Sequence, residues 1–342
     1  MPDGGKPKKS SRISWFPRRK FFVLLALLVL ASAFLSLGFG AEKIEIFSAC
    51  RSLLAGEKNA AVYILRYTRL PRTLAALLAG AALAAAGTIT QCVLANSLAA
   101  PSTIGVNAGA GLGAALFCAL LPEAVQLVPF AAMAGAFAGV ALVMAIAHHT
   151  SASRITLVLA GVAVSGMFGA CVVAVVSFFP DALVGYSDFR IGGLSGVSMA
   201  QLSPAGALIL LALGAVLSLH NELDILMLGT EQAQTLGLPA KKMRLVFLAL
   251  AAILAGASVS FCGLIGFVGL IVPHMMRRFV GEEAGPLLAA SALGGAAFLC
   301  LCDLLARVLF APFELPVGVI LSLLGGPFFI LLLKKRGGHG HD

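Results

Sequence analysis

The sequence predicts an all-α, polytopic membrane protein of about ten transmembrane helices, and three observations carry that reading. Hydrophobic residues fill 60% of the 342 positions and charged residues only 11%, too few charges to clothe a water-soluble domain of this size. Eight runs of 19 residues or more contain no Asp, Glu, Lys, Arg or His: Phe21–Ala41, Thr73–Pro122, Ala124–Ala147, Ile155–Pro180, Ile191–Leu219, Leu245–Pro273, Ala284–Cys302 and Leu315–Leu333. Most of the 24 Lys and Arg residues gather at the two ends and in a few short segments between these runs, the distribution that marks cytoplasmic loops. The net charge of +9 is therefore a topology signal, and no nucleic-acid partner is expected.

Residues 1–20 read as a basic cytoplasmic tail carrying Lys6, Lys8, Lys9, Arg12, Arg18, Arg19 and Lys20, with Trp15 and Phe16 at headgroup level. Phe21–Ala41 is the first span. Its basic flank and small residues at Ala31–Ala33 imitate a signal peptide, but the apolar run outlasts a signal core. Glu42–Tyr67 reads as an outer loop leading to Arg69 and Arg72. A spanning helix needs about 20 apolar residues, so Thr73–Pro122 holds two, divided at the polar, proline-containing Asn96–Pro101. Gly80, Ala84 and Gly87 in the first of these, and Gly105, Gly109 and Gly113 in the second, supply small residues for close helix approach. Span four ends at His148–His149, and Thr150–Arg154 is a very short inner loop before span five. The glycine-rich Asp181–Val197 predicts a re-entrant or short interfacial element on the outer side, ahead of span six.

Asn221–Arg244 is the longest polar interruption in the second half of the chain. Thr230–Leu236 has the length of one or two helical turns, and Gly237–Pro239 is a helix stop. Lys241, Lys242 and Arg244 place the segment inside. The C-terminal Lys334, Lys335 and Arg336 match the basic N-terminus, so both tails are cytoplasmic and the number of crossings is even. Leu245–Val280 accordingly divides into two short helices reversing at Cys262–Gly263, with Arg277 and Arg278 inside. A span from Pro286 to about Leu305 and a last span from Leu315 complete a single transmembrane domain over residues 21–335, with 336–342 a short cytoplasmic tail.

No GxxxxGK[ST] nucleotide loop, nucleophile elbow, HExxH or paired-cysteine motif occurs in the chain, so it is not read as an enzyme. The seven cysteines are scattered, and Cys300 and Cys302 point to different helix faces; no metal site is expected. An ion-coupled carrier needs titratable groups within its spans. Asp303 is the one carboxylate set in a long apolar stretch, and it lies four residues from Arg307, the spacing of a helical ion pair. Energy for transport would then come from outside the chain, through an ATPase docking on the inner segment 221–244.

Five stretches in order, RLPRTLAALLAGAALAAAGTITQ, NSLAAPSTIGVNAGAGLGA, LGTEQAQTLGLP, GLIGFVGLIVPHMMRRFVG and ELPVGVILSLLGGPFFILLLKK, resemble the iron-chelate and cobalamin importer permeases, the FecCD-type family of ABC transporters, from about Arg69 to Lys335. The resemblance implies ten helices per subunit, a homodimer with the path at its interface, cytoplasmic ATPase subunits using ATP and Mg, a soluble extracytoplasmic binding protein, and residence in the inner membrane. It assigns no cofactor to this chain. Ferric siderophore is the expected cargo, with haem and cobalamin the alternatives within the family and an ion-coupled secondary carrier the alternative outside it.

Carried over by position, Thr230, Glu231, Ala233, Leu236, Gly237 and Leu238 form the ATPase-coupling element. Arg69, Arg72 and Arg307 fall where the family presents basic residues to its binding protein; interfacial snorkelling, and for Arg307 the Asp303 pair, are the competing readings. The inner gate maps to Asn96, Ser97, Leu98, Ala152 and Ser153. Here the chain departs from the family's Asn-Pro-Leu-Ala, having Asn96-Ser97-Leu98-Ala99.

Overall fold

The computed structural model describes residues 18–40, 47–48, 51–52, 55–57, 59–149 and 153–337. Among them no strand occurs, and seven helices are long and apolar enough to cross a membrane. The basic residues before Arg18, Cys50, Ala152 and the tail beyond Gly337 lie outside the described residues.

Helix α2 (Ala60–Leu94) is the axis of the fold: 83% of its most apolar stretch is buried. It packs against α12 (Ala284–Val308), α10 (Ala240–Cys262), α11 (Val268–Val280) and α7 (Met199–Ser218). Such close packing follows from its composition. A Cβ on Gly80 would overlap the Gly295 carbonyl of α12, and one on Gly87 would overlap the Gly269 backbone of α11. Backbones in contact gain dispersion along their whole length, which is what drives association where lipid tails remove the hydrophobic effect. The glycines of α3 (Val106–Leu120) serve α4 (Val128–His149) in the same way: Gly109 and Gly113 lie against Gly135 and Ala131.

The second span starts earlier than the sequence suggests. Residues Ala60–Tyr67, expected within the outer loop, are helical and continue into Leu70–Leu94 through one π-turn at Leu65–Arg69. Asn59 supplies the missing start signal, its side-chain oxygen accepting from the Val62 N–H at 2.9 Å. The polar residues that imitate a loop lie on the exposed side of this extension, where Arg66 and Tyr67 point outward.

Helix α1 (Arg18–Gly38) lies outside α12 and α2. Helix α5 (Arg154–Phe178) is mostly exposed, begins at Ser153, whose hydroxyl caps the Thr156 N–H at 3.1 Å, and leads to the short α6 (Ala182–Ile191), the element expected from the 181–197 glycines. The polar segment then forms α8 (His220–Met227) and α9 (Thr230–Thr235). The break expected at Cys262–Gly263 is present: α10 ends at Cys262, Gly263 has φ 69°, and α11 follows from Val268. Helix α13 (Val317–Gly337) ends the described chain. Beyond the seven long helices, α3 and α13 are shorter apolar helices, and the tenth expected crossing falls on α11, a helix of 13 residues.

Candidate coupling surface and outer ion-pair cluster

Helix α9 is brief, and its C-terminal end is closed by backbone hydrogen bonds. Leu238 N–H donates to the Ala233 carbonyl at 2.9 Å and Gly237 N–H to the Gln234 carbonyl at 2.9 Å. With Gly237 at φ 82°, this is a Schellman closure, in which glycine takes the left-handed position without a Cβ penalty. Ala233 is buried, pinning the turn to the body, while Leu236 is 62% exposed at its tip. Arg244, buried in the first turns of α10, donates to the Thr230 hydroxyl at 3.1 Å, fixing the start of α9. Asp224 on α8 accepts from the Ala284 N–H at 2.8 Å, joining the segment to the start of α12. Of the coupling residues, Thr230 and Leu238 are half-buried and Glu231, Leu236 and Gly237 exposed. The result is a rigid projection with an apolar tip, wired to two of the helices that clasp α2. Arg244 and Asp224 were not singled out as its supports; both pairings are long-range, which sequence spacing does not report.

The outer arginines occupy different ground from the exposed rim that direct docking requires. Arg69, Arg72 and Arg307 are all buried, and Asp303 is 0% exposed. Arg72 holds Asp303 at 3.0 Å and reaches Glu314 at 2.6 Å; Arg307 pairs with Asp303 at 3.1 Å along the helix. The remaining N–H groups close the end of α1. Arg69 donates to the Leu37 and Gly38 carbonyls, each at 2.7 Å, and Arg307 to the Ser36 and Phe39 carbonyls at 3.2 and 3.3 Å. Arginines satisfying the last carbonyls also complement the negative end of a helix dipole. The i,i+4 spacing made the Asp303–Arg307 pair legible; the burial of Arg69 and Arg72 came from helix α2 extending past them.

The α2–α3 turn carries the expected gate residues Asn96, Ser97 and Leu98. Ala95 stands in the left-handed region at φ 48°, with Asn96 N–H bonded to the Gln91 carbonyl at 3.1 Å. The Asn96 side-chain oxygen accepts from the Leu98 N–H at 3.0 Å, an Asx turn. That bond holds the turn where the family has proline. Asn96 is exposed and Ser97 and Leu98 half-buried. Ser153 caps α5 on the other side of the expected gate, and Ala152 lies outside the described residues.

A cavity of about 560 Å³ opens among α6, the Gly192–Val197 loop, the end of α10 and the start of α13, with Arg72, Asp188, Gln201 and Glu314 on its walls. Among the described residues no three His, Cys, Asp or Glu side chains come together as a metal site.

A bundle of spanning helices around a glycine-faced axis, with a capped apolar-tipped projection between two spans, defines a polytopic transport permease. The chain belongs to the FecCD transport family, whose model matches residues 27–335. It is 36% identical over 328 residues to the Fe(3+)-citrate import system permease protein YfmE of Bacillus subtilis, covering 96% of this chain and 98% of that one. It is 38% identical over 328 residues to the hemin transport system permease protein HmuU of Yersinia pestis, covering 92% and 95%. A metal-chelate type ABC transporter solved in an inward-facing conformation superposes with a TM-score of 0.82 at 28% identity, covering 93% of this chain and 99% of that one.

Proposed function

We propose that this chain is the membrane permease subunit of a binding-protein-dependent ABC importer for iron chelates, ferric siderophore first among them. The observation that carries the reading is α9. Its exposed Leu236 stands on a closed, buttressed turn and suits insertion into a cleft of a cytoplasmic ATPase, where Thr230, Glu231, Ala233, Gly237 and Leu238 shape the contact. ATP and Mg are consumed in that partner. Movement of α9 passes to α10 through Arg244 and to α12 through Asp224, and both helices bear on α2.

The relatives favour an iron chelate: one is an Fe(3+)-citrate permease and another a hemin permease. The chelate crosses at the interface of a homodimer. The exposed apolar face of α5, where Gly166 and Gly169 have open space beside them, supports close approach of a second chain. Asn96, Ser97, Leu98, Ala152 and Ser153 narrow the inner end of the path. An extracytoplasmic binding protein docks on the outer face, which Arg69, Arg72 and Arg307 hold in shape and where Arg66 is an exposed cation. Both termini are cytoplasmic, and the protein resides in the inner membrane.

The test is uptake into proteoliposomes containing the permease, its ATPase and its binding protein, with radio-iron siderophore, ferric citrate, haem and cobalamin compared. Accumulation of an iron siderophore is the expected result; accumulation of cobalamin alone would overturn the iron assignment.

A further inference from the structure

A second cavity, of about 790 Å³, opens between the inner halves of α11 and α13 beside the Ser97 turn. Its lining combines two chemistries: Arg277 and Arg278, in the last turn of α11, with His274 and with Glu282 the one carboxylate on the wall, and the apolar Met275, Phe279, Phe328 and Leu331. Leu331, Phe279 and Met275 are exposed within the chain. The Phe279 ring stacks at 4.8 Å on Phe21 of α1, whose outward face is a run of exposed leucines. The apolar wall therefore continues to the periphery of the bundle.

Two contacts place the charged residues beside the start of α1. Arg18 pairs at 2.7 Å with Glu283, the neighbour of Glu282, and Phe21 stacks on Phe279, which follows Arg278. A basic segment at the start of a spanning helix is the headgroup level of a bilayer. A soluble anion satisfies the arginines but leaves the hydrocarbon wall wet; a neutral lipid does the reverse. Basic pockets between spanning helices on the cytoplasmic side recognise anionic headgroups.

We propose that this cavity binds an anionic phospholipid of the inner leaflet, its phosphate between Arg277 and Arg278 and its upper acyl chain against Phe328 and Leu331. The proposal requires a membrane-spanning chain and is independent of the cargo.

Native mass spectrometry of the purified full-length permease, delipidated and titrated with phosphatidylglycerol or phosphatidylcholine of equal acyl chains, is the test. An arginine at an anionic headgroup contributes about fivefold in affinity. The joint variant Arg277→Gln/Arg278→Gln is therefore expected to bind phosphatidylglycerol roughly twentyfold more weakly, with phosphatidylcholine unchanged. Leu331→Asp, at an exposed position, tests the wall without touching the arginines and should also weaken phosphatidylglycerol binding. Equal binding of the two lipids by the unaltered protein would overturn the proposal. So would displacement of bound lipid by millimolar glycerol phosphate or ferric citrate, which would mark an anion site. Disulfide capture of a second permease copy, or of the ATPase, through Met275→Cys would identify a protein as the occupant instead.

Discussion

Asp303 carries more of the outer half than any other single side chain. It is fully buried, yet two guanidinium groups, one from α2 and one from its own helix α12, meet at its carboxylate. Removing one partner of a buried pair costs about 3–5 kcal/mol, because the charges left behind have no solvent to replace it. Asp303→Asn is therefore expected to lower the thermal stability of the detergent-solubilised chain by an amount of that order, measured by tryptophan-free thermal-shift or aggregation assays. The same geometry separates two readings of the arginines. Arg72→Glu places a third acid beside Asp303 and Glu314 and should reduce the yield of folded protein at every salt concentration. Arg66→Glu, on the exposed outer end of α2, should leave stability unchanged and weaken binding-protein association in a salt-sensitive way, since rim charges act mainly on encounter. Equal stability of the Arg72→Glu and Arg66→Glu variants would contradict the buried cluster.

Among the elements, the contacts of α2 decide how tightly the bundle closes. Gly87 faces the backbone of α11, which has no flexible side-chain end to withdraw. Overpacking a core costs about 1–3 kcal/mol where neighbours can shift; Gly87→Val should reach or exceed the top of that range and diminish transport as well as stability. Hydrophobic run lengths made the spans legible, and the glycine spacing made their close contacts legible. The beginning of α2 was hidden because Asn59 is a single capping residue amid charges, and polarity there reads as a loop. The inner projection was legible from Gly237–Pro239 and the polar interruption. Its supports, Arg244 on Thr230 and Asp224 on the α12 N-terminus, were not, since they pair residues 14 and 60 positions apart. Ser97 stands where the family has proline, and the Asn96–Leu98 Asx turn supplies a constraint there as a hydrogen bond.

For the whole molecule, the expected topology is tested across the break at Gly263. Cysteine labelling from outside intact cells should reach Gly266→Cys, at an exposed position with open space beside it, but not Arg277→Cys; outward access at both would contradict an even number of crossings. The larger consequence is that the chain transmits work done elsewhere. Its spans offer Asp303 as a deeply buried carboxylate already committed to Arg72 and Arg307, which is poor equipment for carrying protons or sodium. What it offers instead is a rigid apolar tip at Leu236 joined to the helices around α2. The most direct measurement is ATP-driven accumulation of iron chelate in proteoliposomes, comparing the unaltered permease with Leu236→Asp in complex with the same ATPase and binding protein. Accumulation that requires internal ATP and is lost with Leu236→Asp, together with ATPase association, is the expected result. Accumulation driven by an ion gradient without ATP, or unchanged by Leu236→Asp, would contradict it.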